Sequence, residues 1–189
     1  MAKNELRDYI KDIVYLSDEQ MQLALSFFKP SSHQKYDLLV REGEIGGYMN
    51  FVVKGCLRIY FVREDGQEAT RHLAFENQFA TGLASFITMK PSTENIQVME
   101  DCNLLRITRK DFYYLLGIIP AWEKFFRFYL ENAYINNLQI LQREITKDAE
   151  FRYKELLERN PEIVRRLPNK IVASYLNMSP KTLSRMKSK

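Results

Sequence analysis

The sequence predicts an α+β fold: an antiparallel β-roll or jelly roll, one long helix after it, and a helical domain ending in a helix-turn-helix. Three observations predict it. All seven glycines, at positions 43, 46, 47, 55, 66, 82 and 117, lie in the front part of the chain, so a turn-rich beginning gives way to a helical end. Between residues 36 and 110, short apolar runs recur with turn signals at a spacing of about ten residues, the pattern of an antiparallel sandwich or roll. From Pro120 to about Ile145 there is neither glycine nor a second proline. These patterns divide the chain into 1–117 (lead helices and roll), 118–146 (long helix) and 147–189 (helix-turn-helix domain).

Taken in order, residues 3–29 read as helical, with Leu6, Ile10, Ile13 and Val14 on one face. Ser17 through Gln20 form a cap for a second short helix carrying Met21, Leu23, Ala24, Phe27 and Phe28, which Pro30 ends. Strands are expected at Leu38–Val40, Met49–Val53, Cys56–Val62, Gln67–Phe75, Ile96–Met99 and Leu104–Thr108. In the third of these, Leu57, Ile59 and Phe61 alternate with Arg58, Tyr60 and Val62, and Asp65-Gly66 signals a two-residue hairpin turn after it. Residues 109–116 read as a short helix capped near Thr108.

Pro120 suits the first turn of a helix, where its missing N–H is not needed. Along that helix Trp122, Phe126, Tyr129, Ala133, Asn136 and Ile140 recur at alternating steps of four and three. A stripe this long projects beyond a small roll, so Phe126, Tyr129, Ala133, Asn136 and Ile140 are expected to form a homodimer interface, with Asn136 fixing register. A further helix covers about 148–159, and a short turn or helix follows Pro161.

Composition narrows the function. The chain has 189 residues, 46% of them hydrophobic and 28% charged, the balance of a globular protein. Two cysteines, Cys56 and Cys102, are too few for a disulfide framework or for the four ligands of an iron–sulfur cluster, and they read as small buried residues. Two histidines in different segments, His33 and His72, offer no metal cluster, no haem site and no Ser–His–Asp set, so a cupin-like enzyme is disfavoured and neither cofactor nor metal is expected. No apolar stretch approaches a membrane span, and the N-terminus from Met1 is charged rather than apolar, so a cytoplasmic protein without membrane partners is expected.

Charge then points to a polyanion. Net charge is +4, but Ile163 onward carries Arg165, Arg166, Lys170, Lys181, Arg185, Lys187 and Lys189 with no Asp or Glu. Within this stretch a first helix over about 169–176 presents Ile171, Val172, Tyr175 and Leu176, with Ala173 small enough for close contact. Asn177 tolerates positive φ and can make the corner, and Met178 can plug the angle. Ser179 suits the N-cap and Pro180 the first turn of a second helix, whose Leu183 and Met186 face inward. Lys181, Thr182, Ser184, Arg185 and Lys187 are left outward, a basic and hydroxylic face for double-stranded DNA, with Lys170 alongside. Arg185 is the candidate for guanine, while Ser179 and Thr182 suit phosphates.

The order of these parts resembles the Crp/Fnr family of bacterial transcription regulators over nearly the whole chain. The residues carrying the resemblance are Gly43-Glu44, Val53 through Tyr60, Asp65-Gly66, Glu100-Asp101-Cys102 to Arg109 through Phe112, and Ile171 through Leu176 continuing to Thr182-Leu183-Ser184-Arg185. The resemblance implies a homodimer on a palindromic site, with RNA polymerase and a small-molecule effector as further partners. It also implies an effector pocket at Phe79, Thr81, Gly82, Leu83, Ser92 and Thr93. Members that bind a cyclic nucleotide use Phe-Gly-Glu-Leu and then Arg-Ser/Thr-Ala. Here the segment reads Phe79-Ala80-Thr81-Gly82-Leu83, then Pro91-Ser92-Thr93-Glu94, with no arginine between Arg71 and Arg106. A buried phosphate without its guanidinium is poorly stabilised, so the roll is not expected to bind cAMP or cGMP. The alternative is a small-molecule binding module in which DNA contact is lost or secondary.

Overall fold

The structure, a computed structural model, describes residues 2–188; Met1 of the N-terminal reading and Lys189 of the basic run lie outside the described residues. The chain starts with helices α1 (Ala2–Lys11) and α2 (Asp18–Phe27). Ser17 caps α2 in a full capping box, its hydroxyl accepting the Gln20 N–H while the Gln20 side chain accepts the Ser17 N–H.

Eight strands follow: β1 (Lys29–His33), β2 (Leu38–Val40), β3 (Tyr48–Lys54), β4 (Leu57–Val62), β5 (Glu68–Ala74), β6 (Phe79–Ala80), β7 (Asn95–Val98) and β8 (Cys102–Thr108), with helix α3 (Leu83–Thr88) between β6 and β7. They make two four-stranded sheets, ordered β1-β8-β3-β6 and β2-β7-β4-β5. Strand pairing is antiparallel, with β3 on β8 from Tyr48↔Thr108 to Lys54↔Asn103.

The first sheet is buried on both faces. Val52, Ala80 and Leu104 point into the roll, against Val40, Leu57, Ile59, Ala74, Ile96 and Val98 of the second sheet. Met49, Phe51, Phe79, Leu105 and Ile107 point the other way, into a core shared with the helices. That second core is aromatic: the Trp122 and Phe125 rings stack at 4.7 Å, and Phe51 and Phe79 lie 5.1 Å apart. Helix α4 (Arg109–Ile118), capped by Thr108 on the Asp111 N–H, closes this layer.

Helix α5 (Pro120–Thr146) then runs for 27 residues. It is followed by α6 (Ala149–Arg159), α7 (Pro161–Arg166), α8 (Asn169–Tyr175) and α9 (Pro180–Lys187). Two compact units result. One comprises the chain up to Ile59 with Leu73–Glu131; the other joins Tyr60–His72 to the chain from Asn132 onward. The long helix is therefore shared between the units rather than forming its own, and the β4–β5 tip belongs with the helical unit.

Several expectations are corrected. Strand β1 was not expected, and it carries Pro30, which is tolerated because β1 pairs only with β8 at the sheet edge. Residues 36–110 are not all strand, since α3 interrupts them. The β4–β5 turn is three residues, Glu64-Asp65-Gly66, rather than two: Gly66 N–H donates to the Arg63 carbonyl at 2.9 Å, Arg63 N–H to Gln67 at 2.8 Å, and Gly66 takes φ +78. In β4 alternation fails as a guide, because Arg58 and Tyr60 are as buried as Leu57 and Ile59, while Phe61 and Val62 are exposed.

Candidate nucleic-acid interface

Helix α8 ends in a Schellman cap. Met178 N–H donates to the Ala173 carbonyl at 3.0 Å and Asn177 N–H to the Ser174 carbonyl at 3.2 Å. Asn177 sits at φ +49, the left-handed corner read from the sequence. The chain turns there into α9, whose first turn Ser179 caps by accepting the Thr182 N–H at 3.0 Å, with Pro180 at the first position. Ile171, Val172, Ala173, Leu176 and Leu183 are buried between the helices, joined by Leu156, Ile163 and Leu167. Met178 and Met186 are half-buried.

This packing leaves one side of α9 open. Ser179, Lys181, Ser184, Arg185 and Lys187 are exposed and Thr182 is half-buried. Lys187 Nζ donates to Asn169 Oδ1 at 2.5 Å, which ties the end of α9 to the start of α8. Lys170, also exposed, lies on that same start of α8. The face is thus a helix N-terminus bearing two hydroxyls, followed by Lys181, Arg185 and Lys187, and from residue 163 to 188 no carboxylate is present. Such a surface offers N–H and O–H donors and cations to an anion and nothing that repels one.

The residues expected to form an effector pocket are placed differently. Phe79 belongs to the aromatic core, within ring contact of Tyr9, Phe28, Phe51, Phe125 and Tyr129. Thr81 is buried and donates to the Tyr48 carbonyl at 2.9 Å. Ser92 is buried, donating to the Glu94 carbonyl and accepting the Glu94 N–H. Gly82 is packed so that a Cβ added there would stand 3.5 Å from Ser92 Oγ and 3.8 Å from Glu94 Oε2. Leu83 is half-buried and Thr93 exposed. The acidic side chain of Glu94, 8% exposed, therefore lies beside the residues that were expected to meet a ligand.

Part of the expected dimer stripe has contacts within the protomer. Phe126 and Tyr129 pack on the core of their own unit, because the helix must cover Phe79 and Phe112. Ala133 is half-buried, Asn136 is exposed, and Ile140 lines a cavity within the helical unit. The exposed apolar side of α5 is a different one: Ile135, Leu138, Leu141 and Ile145. Their steps of three and four are legible in the sequence, but periodicity alone does not tell two apolar faces apart.

Sequence reading missed how the β4–β5 hairpin meets the helix-turn-helix. The Ser174 hydroxyl accepts from Thr70 N–H and Thr70 O–H, both at 2.9 Å, and donates to the Glu68 carbonyl at 2.7 Å. Arg63 Nη2 donates to Asn177 Oδ1 at 3.0 Å. No local signal announces contacts between residues 104 apart. Cys56 and Cys102 are buried and form no disulfide, and burial pushes the Cys102 thiol up to about 11. Among the described residues no His, Cys, Asp and Glu cluster could hold a metal, and no helix is long and apolar enough to cross a membrane.

The fold is a β-roll followed by a long helix and a capped helix-turn-helix. Residues 30–117 match the cyclic nucleotide-binding domain family. The fold is that of the Crp/Fnr transcriptional regulators. FixK2 from Bradyrhizobium japonicum superposes with a TM-score of 0.74 at 17% identity, covering 85% of this chain and 83% of that one. A protein of the Crp/Fnr family from Eubacterium rectale gives a TM-score of 0.69 at 16% identity, covering 90% and 82%. Human patatin-like phospholipase domain-containing protein 6 is 26% identical over 84 residues, 44% of this chain. The chain spans 6% of the length of that relative.

Proposed function

We propose that this chain is a homodimeric, DNA-binding transcription regulator of the Crp/Fnr type and not an enzyme, reading a palindromic site through α9. The observation that carries this reading is the α8–α9 corner: a Schellman cap with Asn177 at φ +49, a Ser179 N-cap, and an exposed face of Lys181, Ser184, Arg185 and Lys187 free of acids. Arg185 is assigned to a guanine edge, Ser179 and Thr182 to phosphates, and Lys170, Lys181 and Lys187 to the backbone charge. In the dimer the exposed side of α5, Ile135, Leu138, Leu141 and Ile145, faces its copy, and the two recognition helices meet half-sites about one helical turn apart, ~34 Å. The protein works in the cytoplasm, where RNA polymerase and a small-molecule effector other than cAMP are its further partners.

Selection of bound sites from random duplexes tests this. The wild type is expected to enrich a two-fold-symmetric sequence, and Arg185→Ala to retain binding while losing the preference at one position per half-site. A chain that retards no duplex in dilute buffer, or an Arg185→Ala selection identical to that of the wild type, overturns the assignment. The first of these outcomes would favour the roll as a stand-alone ligand-binding module.

A further inference from the structure

Resting on the DNA-binding reading above, we propose that Arg152 is a positioning residue: it fixes the end of α5 against the start of α9, and so sets the half-site spacing that the dimer accepts.

The surface that meets a copy of the chain and the surface that meets DNA belong to one compact unit, which holds the chain from Asn132 onward. The exposed apolar side of α5 reaches Ile145, and α5 itself ends at Thr146. Lys147 N–H donates to the Arg143 carbonyl at 3.0 Å and finishes the last turn. Asp148 then caps α6 by accepting the Phe151 N–H at 2.8 Å, so the junction of the two helices is Lys147-Asp148 alone. Further along the chain, Leu176 closes α8, and the corner at Asn177 leads into the Ser179 cap of α9.

Arg152, half-buried near the start of α6, joins these two places. Its Nη1 donates to the Lys147 carbonyl at 2.7 Å and its Nε to the Leu176 carbonyl at 3.1 Å, while Nη2 reaches the Asn177 carbonyl at 3.5 Å. All three acceptors are main-chain oxygens, so they cannot turn away by changing rotamer. The last carbonyls of a helix lack a partner within it, and a cation there is favoured by the helix dipole. A planar guanidinium holds several acceptors at fixed angles, whereas a lysine ammonium is a point charge on a flexible stem. Arg143 of α5 also meets α6, pairing with Glu155 at 3.4 Å, but that contact joins two side chains and can follow a shift of either helix.

Geometry gives the contact its consequence. In the proposed dimer α5 faces its copy, and α9 starts from the corner that Arg152 holds. A tilt of one corner is repeated in the copy, so the distance between the two reading heads changes by the sum of both. One base pair is ~3.4 Å along the duplex, and a tilt that moves the heads by this much changes which spacing both can meet at once.

Spacing rather than affinity alone tests this, on the whole chain. The probes are labelled duplexes carrying two inverted copies of the half-site that the wild type enriches from random DNA. They hold the selected spacing or one or two base pairs to either side, and a single half-site serves as a further probe. Binding is followed by fluorescence anisotropy. The wild type is expected to bind about tenfold or more weakly when the spacing is off by one base pair, since a second head that cannot engage adds nothing. Arg152→Gln is expected to reduce that difference to about threefold or less, while binding the single half-site as the wild type does. Arg152→Lys, which keeps the charge but not the fork, is expected to fall between them. Where Arg152→Gln binds nothing, Arg152→Lys decides by the same measure. A wild-type spacing profile in both variants, or a wild type indifferent to spacing, overturns the assignment. An equal loss at every spacing and on the single half-site in both variants also overturns it, and makes Arg152 a phosphate contact or a residue of general stability. A wild type that binds no duplex removes the DNA-binding reading itself.

Discussion

Ser179 and Thr182 close the first turn of α9 on each other: the Ser179 hydroxyl accepts the Thr182 N–H at 3.0 Å and lies 2.8 Å from the Thr182 hydroxyl. The arrangement serves two purposes that substitution separates. Ser179→Ala removes the cap and is expected to lower stability by about 1 kcal/mol in urea denaturation. Ser179→Asp preserves an acceptor for Thr182 and favours the helix dipole, so stability is expected to hold or rise. The same carboxylate would face a phosphate, and affinity for duplex DNA is expected to fall about tenfold or more. A Ser179→Asp protein that binds as the wild type does would place the phosphate elsewhere.

The exposed side of α5 gives a second expectation. Ile145 is 73% exposed and Leu141 54%, values out of keeping with side chains of that size unless another surface covers them. Leu138→Glu combined with Ile145→Glu is expected to turn a dimer into a monomer in sedimentation equilibrium, and to weaken binding to a palindromic duplex by about a hundredfold through loss of the second reading head. The fold of the protomer should survive, because neither residue is buried in it. A dimer that persists would assign the contact to another face.

These two cases show what was legible in the sequence. Helix starts were readable because caps are local: Ser17 with Gln20, Thr108 with Asp111 and Ser179 with Thr182 each lie within three residues. The corner at Asn177 was readable for the same reason. Strand β1 was not, since Lys29-Pro30-Ser31-Ser32-His33 has no apolar alternation and is held by the backbone of β8. The two apolar faces of α5 share one periodicity, and only the position of Phe79 and Phe112 beneath Phe126 and Tyr129 shows which of them packs on the core of its own unit. The residues around Gly82 read as a pocket by position in the chain, and sequence does not show that Phe79 joins the aromatic core shared with the helices or that Ser92 bonds to the Glu94 backbone.

His72 provides a pH test of the hairpin base. Burial, with the neighbouring Arg71 charge, depresses its pKa from 6.5 to about 4. The unfolded chain takes up this proton near its ordinary value, while the folded chain does so only near 4. Between those values the unfolded state binds more protons, so stability falls as the pH is lowered from about 6.5 toward 4. His33 contributes with the same sign, through its own partial burial and the charge of Arg106. His72→Gln is expected to flatten the decline in chemical-denaturation stability across that window, and His33→Gln to flatten it less. A His72→Gln protein with the wild-type slope would show that the imidazole is solvated in the folded state.

The roll itself makes the last prediction. A cyclic phosphate needs a cation or a cluster of donors, and the segment around Gly82 offers Ser92 Oγ, already engaged with Glu94, and the Glu94 carboxylate 3.8 Å from the position a Gly82 Cβ would take. Arg109 is turned elsewhere, donating to the Phe86 carbonyl at 2.7 Å and lying over the Tyr113 ring. Arg106 donates to Asn50 Oδ1 and lies over Tyr48. Transfer of a phosphate monoanion from water to a buried site is opposed by desolvation. Isothermal calorimetry with cAMP and with cGMP is therefore expected to show no saturable heat. Glu94→Gln, which adds no guanidinium, is expected to remain silent as well. Saturable binding by the wild type with a Kd below about 10 μM, worth roughly 7 kcal/mol, would mean that a cation reaches the phosphate from a residue not assigned to it.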